Sequence, residues 1–206
     1  MARALRWLAL GDSYTIGEGV PADGCWPVQL AAALRADGIA IDHPRIIATT
    51  GWTTDELAAA MDAAEPLGRW DFVSLLIGVN NQYRGRSAQD YHGEFHDLLR
   101  RTITLAGGHA GRVLVLSIPD WGVTPFAREG DRDSARIAVE LDRYNAIAAS
   151  LCAADGVAFV DITAASRDRG DDPAMLADDG LHPSAAMYAR WVGAARPVAR
   201  RLLTEA

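Results

Sequence analysis

Phe72-Val73-Ser74-Leu75-Leu76-Ile77 is a run of six residues with one polar member, stopped by Gly78. A strand with one wet face alternates apolar and polar side chains, because successive residues point to opposite sides. This run does not alternate. It reads as a strand covered on both faces, the situation of parallel sheets sandwiched between helices.

Working outward, four further runs are strand candidates. Leu5–Leu10 precedes Gly11, Arg45–Thr49 ends at Thr50-Gly51, Val113–Ile118 is stopped by Pro119, and Val157–Ile162 is the fifth. Helical patterns lie between them. One spans about Pro27 to Asp37, with proline at its first position and Gly38 just past its end. Thr53-Thr54-Asp55-Glu56 reads as a capping box opening a helix to about Ala64. Ser87 caps the next, whose stripe is Tyr91, Phe95, Leu98, Thr102 and Leu105. Ile137, Leu141, Tyr144, Ala148 and Leu151 mark another, over about Ser134–Ala154. The chain from the fifth strand to about Leu181 reads as a polar loop. A last helix starts near Ser184, with Tyr188, Trp191, Ala195, Val198 and Leu202 on one face. Pro197 is expected to kink it or end its regular part.

Five apolar strands separated by amphipathic helices predict an α/β fold, a three-layer α/β/α sandwich around a five-stranded parallel, flavodoxin-like sheet. No linker, low-complexity tract or internal repeat interrupts residues 1–206, so a single domain is expected.

Composition narrows the function classes. The 206 residues carry a net charge of −7, against the basic patch a nucleic-acid binder presents. Cys25 and Cys152 are far apart and form no CxxC pair, so two ordinary thiols are expected. His92 and His96 are four apart without a carboxylate-rich partner motif, which favours a solvated helix face over a metal site. No metal and no cofactor are expected. No apolar run approaches the roughly 20 residues that span a bilayer, so no stable membrane insertion is expected. MARALRWLAL is too short for a signal peptide and reads as the lead-in to the first strand. The expected location is the cytoplasm, and export would require a leader already removed.

Open α/β sheets bind ligands beyond the carboxyl ends of their strands. The residues just past those ends are Gly11-Asp12-Ser13, Thr50-Gly51-Trp52, Gly78-Val79-Asn80-Asn81 and Asp120-Trp121, then the loop with Asp178, Asp179 and His182. These groups suit acyl chemistry. Serine needs a neighbouring base to take its proton, and histidine, with a pKa of about 6.5 in model peptides, suits that task. A carboxylate that fixes the imidazole improves it. Asp179 stands three residues before His182; Asp178, at a spacing of four, is the weaker candidate. Asp120 is expected to hold its own loop together.

Gly11-Asp12-Ser13-Tyr14, Gly51, Gly78-Val79-Asn80-Asn81 and Asp179-Gly180-Leu181-His182 resemble, in order and spacing, the four sequence blocks of the SGNH (GDSL) hydrolase superfamily. The resemblance covers nearly the whole chain. It implies Ser13 as nucleophile, His182 as base and then acid, and Asp179 as orienter. It also implies an oxyanion hole made by the backbone N–H groups of Ser13 and Gly51 and the side-chain amide of Asn80. The third block of that superfamily usually reads Gly-x-Asn-Asp. Asn81 departs from it, and the change is expected to affect loop hydrogen bonding rather than activity.

Tyr14, Trp52 and Trp121 are the candidate substrate-binding aromatics, with Trp26 and Tyr83 also near the rim. Arg84 and Arg86 either meet an anionic head group or are merely solvated. The expected function is a serine-dependent hydrolase of a small-molecule ester, acting through an acyl-enzyme on lysophospholipids or short-chain acyl esters. The alternatives are a carbohydrate O-deacetylase and a non-catalytic ligand-binding module. A nucleotide-binding sheet is disfavoured, because neither GxGxxG nor a Walker lysine is present.

Overall fold

The computed structural model describes residues 3–205; Met1, Ala2 and Ala206, the ends of the expected 1–206 domain, lie outside the described residues. In chain order the strands are β1 (Trp7–Asp12), β2 (Arg45–Thr49), β3 (Phe72–Leu76), β4 (Val113–Leu116) and β5 (Ala158–Val160). They form one parallel sheet in the order β2-β1-β3-β4-β5. That order switches direction at β1, with β2 on one side and β3 on the other. Ligand crevices form at such a switch.

The helices are α1 (Ser13–Ile16), α2 (Trp26–Ala36), α3 (Thr54–Ala63), α4 (Val79–Tyr83), α5 (Ala88–Leu105), α6 (Pro125–Glu129), α7 (Ser134–Asp155), α8 (Thr163–Arg169) and α9 (Ala185–Thr204). α2 packs on α9, while α5 packs between α3 and α7, which gives the outer layers of the sandwich. Each residue of β1, β3 and β4 is buried, as the unbroken apolar runs require. The lone polar residue of β3 has its own explanation. Ser74 Oγ accepts a hydrogen bond from Trp7 Nε1 at 3.0 Å, so a serine and an indole satisfy each other inside the core.

Two elements differ from the reading above. Part of the expected polar loop is α8, which buries only Thr163 and Ser166. And α9 runs on through Pro197 rather than ending there. Gly193, four residues earlier, is exposed with open space where a side chain would sit. Its carbonyl can turn to water, which removes much of the usual penalty for a proline in a helix.

Candidate active site

Ser13 is the first residue of α1, immediately after β1. Asp12 caps this helix, and its Oδ1 accepts the Tyr14 N–H at 3.0 Å. The N–H of Ser13, in the first helical turn, has no acceptor inside the helix and is available to a ligand. Burial pushes the Asp12 carboxyl up to about 7, opposed by hydrogen bonds from the backbone of Tyr14, Asp12 and Gly78.

The second and third parts of the rim follow β2 and β3. Gly51 adopts a φ of +87°, a left-handed conformation that side-chain-bearing residues rarely hold. Gly78 has a φ of +128°, and a methyl group added there would lie 2.6 Å from the Tyr91 ring. Glycine at 78 therefore lets the chain turn directly into α4, which carries Asn80. The Asn80 amide donates one hydrogen to the Trp52 carbonyl at 2.9 Å, leaving its second hydrogen unassigned.

The fourth part is a closed turn ahead of α9. Leu176 and Pro183 form an antiparallel bridge. Inside it Ala177 N–H donates to His182 O at 2.8 Å, and Gly180 N–H donates to Ala177 O at 3.0 Å. Asp179 Oδ1 accepts the backbone N–H groups of Leu181 and His182, both at 2.9 Å. Its other oxygen lies 2.5 Å from His182 Nδ1. Burial works to raise the Asp179 carboxyl, but the His182 ring and the two N–H donors outweigh it and hold the group below the usual carboxylate range. Asp178 is exposed and takes no part in this arrangement. The His182 ring, in turn, lies edge-on to Tyr14 with centroids 5.7 Å apart.

These four segments meet around one cavity of about 220 Å³, lined by Ser13, Gly51, Asn80 and His182 together with Tyr14, Thr50, Val79, Tyr83, Trp121, Phe126 and Leu181. Its walls are largely apolar. Trp121 is fixed by a 2.8 Å bond from its indole N–H to Gln82 Oε1, and it packs against both Tyr83 and Phe126. Of the candidate aromatics, Tyr14 and Trp121 face this space. Trp52 does not; its ring packs on the core while its carbonyl holds Asn80. Tyr83 and Phe126, the latter not singled out in the sequence, complete the wall. Phe126 carries no sequence signal, because its place at the rim depends on tertiary contacts, its N–H donating to Gly180 O and its ring packing on Trp121.

Other groups have local roles. Asp120 accepts from Gly122 N–H at 2.9 Å and pairs with Arg167 at 2.8 Å, so it does hold its loop. Arg86 pairs with Asp55 at 2.6 Å and Arg84 with Glu56 at 3.1 Å. His96 faces Asp155 at 3.5 Å, and among the described residues no three His, Cys, Asp or Glu side chains gather as metal ligands. At the opposite end of the strands a groove of about 920 Å³ contains Arg3, Arg6, Arg69 and Arg112. Arg3 is paired with Asp71 and Arg6 lies over Trp70. Among the described residues, no helix is long and apolar enough to cross a membrane.

The comparisons with known proteins agree with this layout. Several solved structures share the fold. TesA superposes with a TM-score of 0.75 at 18% identity, covering 96% of this chain and 99% of that one. A catalytic mutant of Axe2, an acetylxylan esterase from Geobacillus stearothermophilus, gives 0.73 at 20% identity, with 96% and 95% covered. The lipase/acylhydrolase from Enterococcus faecalis gives 0.68 at 20% identity, with 98% and 96% covered. None of the curated proteins matches the chain by sequence. The family described as GDSL-like lipase/acylhydrolase matches residues 9–190, a span that runs from within β1 through the other four strands into α9 and takes in every segment of the rim. On that match the chain belongs to the GDSL-like lipase/acylhydrolase family and is a serine ester hydrolase of it.

Proposed function

We propose that Ser13, His182 and Asp179 hydrolyse a small acyl ester through an acyl-enzyme, with Ser13 N–H, Gly51 N–H and the Asn80 amide as the oxyanion hole. One observation carries the reading. Ser13, Gly51, Asn80 and His182 line a single cavity, and His182 Nδ1 is bonded to a carboxylate.

With Nδ1 donating to Asp179, His182 Nε2 accepts the Ser13 proton as Oγ attacks the ester carbonyl. The negative charge that develops on the carbonyl oxygen falls to the three N–H donors. Each such donor is worth about 10²–10³ in rate. The intermediate collapses, the C–O bond to the alcohol breaks, and the alcohol leaves with the proton from Nε2. Water then repeats the sequence: Nε2 takes its proton, its oxygen attacks the acyl carbon, and Ser13 regains its hydrogen as the acid departs.

The apolar walls and a cavity of about 220 Å³ favour short-chain acyl esters; lysophospholipids are the other class, and their long acyl chain would have to extend beyond this cavity. A second reading, removal of acetyl groups from carbohydrates, draws on another observation. A cleft of about 250 Å³ with Gln82, Arg132, Arg136 and Glu140 in its walls shares Tyr83 and Trp121 with the first cavity. Axe2, similar in fold, is named as an acetylxylan esterase.

The test is hydrolysis of p-nitrophenyl esters of increasing chain length, of lysophospholipids and of acetylated xylo-oligosaccharides, by the wild type and Ser13→Ala. A fluorophosphonate probe gives a parallel readout, since only an activated serine reacts quickly. The expected result is labelling and turnover in the wild type and loss of both in Ser13→Ala. Full activity in Ser13→Ala sinks the assignment. Preference for the acetylated sugars over every other ester selects the second reading.

A further inference from the structure

The Gly51 loop supplies one proposed oxyanion donor, and α4 supplies another through Asn80. What fixes the two to each other is a set of bonds at three successive residues. Arg84 Nη2 donates to the Gly51 carbonyl at 2.6 Å. Asn80 Nδ2 donates to the Trp52 carbonyl at 2.9 Å. Glu56 Oε2 accepts the Thr53 N–H at 2.9 Å. Glu56 also holds Arg84 from behind, with Oε1 at 3.1 Å from Nη1.

Arg84 is the C-cap of α4, and its backbone N–H donates to Asn80 O at 3.0 Å. The guanidinium and the Asn80 amide therefore spring from one helical turn. Gly51 needs such a restraint. At φ +87° it has no side chain to limit it, and glycine backbones visit both signs of φ freely. Arg84 lies outside the residues that line the catalytic cavity, and its side chain is 44% exposed. A planar fork with two bonded nitrogens suits this task better than a point charge.

We propose that Arg84 is a positioning residue: by holding the Gly51 carbonyl against α4 it fixes the backbone dihedrals at Gly51, and through them the direction of the Gly51 N–H in the oxyanion hole. The proposal rests on the assignment of Gly51 and Asn80 as oxyanion donors. Donors must be in place before charge develops, and a misplacement of about 1 Å can lower the rate by as much as 10². The loss should therefore fall on the transition state and leave ground-state binding alone.

The experiment compares wild type, Arg84→Met, Arg84→Lys and Ser13→Ala on one short-chain p-nitrophenyl ester. It also measures inhibition by an alkylboronic acid, which forms a tetrahedral adduct with an activated serine. For Arg84→Met the expected result is a kcat about 10- to 100-fold lower, with KM within about twofold and boronate affinity falling in parallel. Arg84→Lys should recover part of that loss, because one bond to Gly51 O remains possible. The melting temperature should fall little, as expected for a half-exposed side chain. Unchanged kcat in Arg84→Met overturns the proposal. So does a rise in KM alone, which would make Arg84 a substrate contact. So does a kcat loss with boronate affinity intact. Activity persisting in Ser13→Ala would instead remove the underlying assignment, and the proposal with it.

Discussion

Asn81 Nδ2 lies 2.6 Å from Thr54 Oγ1 and 3.3 Å from Glu94 Oε2, while Asn81 Oδ1 accepts the Thr54 N–H at 3.1 Å. This accounts for the asparagine where the superfamily usually has aspartate. The carboxylate at this junction comes from Glu94 on α5, itself near Arg86 at 3.6 Å. Asn81→Asp would set a second carboxylate against the first in a fully buried position. A stability loss of about 1–3 kcal/mol is expected from the lost donor. Glu94→Gln should restore much of it, because the neutral amide can donate where the aspartate now accepts. Thermal unfolding of both single variants and the double variant measures the coupling, and additive losses would disprove it.

Asp179 makes three bonds, two of which shape the turn and one of which holds the imidazole. Asp179→Asn keeps an acceptor for the backbone donors but can present an N–H toward Nδ1, favouring the wrong tautomer. A kcat loss of about 10²–10⁴ with KM nearly unchanged is expected. Steady-state kinetics on a short ester would show it. The Asp179 carboxyl is held low when folded, so its contribution to stability is present above the unfolded value of about 4 and fades as pH falls through the folded one. Melting curves of wild type and variant should therefore converge in acid.

Asp12 has the opposite sign. Its folded carboxyl sits at about 7, above the unfolded value, because burial disfavours the charge. The folded state thus holds its proton more tightly, and the associated stability is full below about pH 4 and lost as pH rises through 7. Asp12→Asn has no charge to bury. Relative to wild type, its melting temperature should rise between pH 5 and pH 8. Parallel curves across that range would contradict the burial argument.

Tyr83 walls the cavity with a ring that is 44% exposed. Tyr83→Ala should leave stability within about 1 kcal/mol of wild type, as surface substitutions do. Its KM for butyrate and hexanoate esters should rise about 3- to 10-fold, the worth of roughly 1 kcal/mol of apolar contact. The acetate ester should be least affected. A uniform effect on all chain lengths would place the acyl group elsewhere.

β1, β3 and β4 were legible because two-sided burial writes itself into sequence as unbroken apolar runs; β2 and β5, half-exposed at the sheet edges, were legible by their place between helical patterns. The capping box at Thr53 was legible because its partners stand three apart, and the Thr53 N–H does donate to Glu56 Oε2 at 2.9 Å. α8 was not. Its residues TAASRDR carry no apolar stripe, and its start is set by Thr163 N–H meeting Asp161 at 2.8 Å and by Ser117 from β4's end. α1 and α4 are too short to show a period. At the site, Ser13, Gly51 and Asn80 could be placed because each follows a strand; Asp179 and His182, beyond β5 and α8, were placed by their spacing of three and the resemblance. The choice among the aromatics could not be made, because which ring faces the cavity depends on how each loop leaves the sheet. Trp52 and Tyr83 both stand near the rim in sequence; only Tyr83 turns toward the cavity. The pairing of Arg84 and Arg86 could not be read because their partners, Glu56 and Asp55, lie 28 and 31 residues away.

The turn between the Leu176–Pro183 bridge has a wider consequence. Asp179 and His182 are set against each other by bonds internal to that stretch, so the proposed acid–base pair sits in a self-contained module. The connection upstream can lengthen, shorten or change sequence without altering the relation of carboxylate to imidazole. The docking of the module on Tyr14, on α9 and, through Gly180 O, on the Phe126 N–H must be preserved. Variation among relatives should accumulate ahead of Leu176 and stop there, and grafts that reshape substrate access can be made in that connection without disturbing proton transfer.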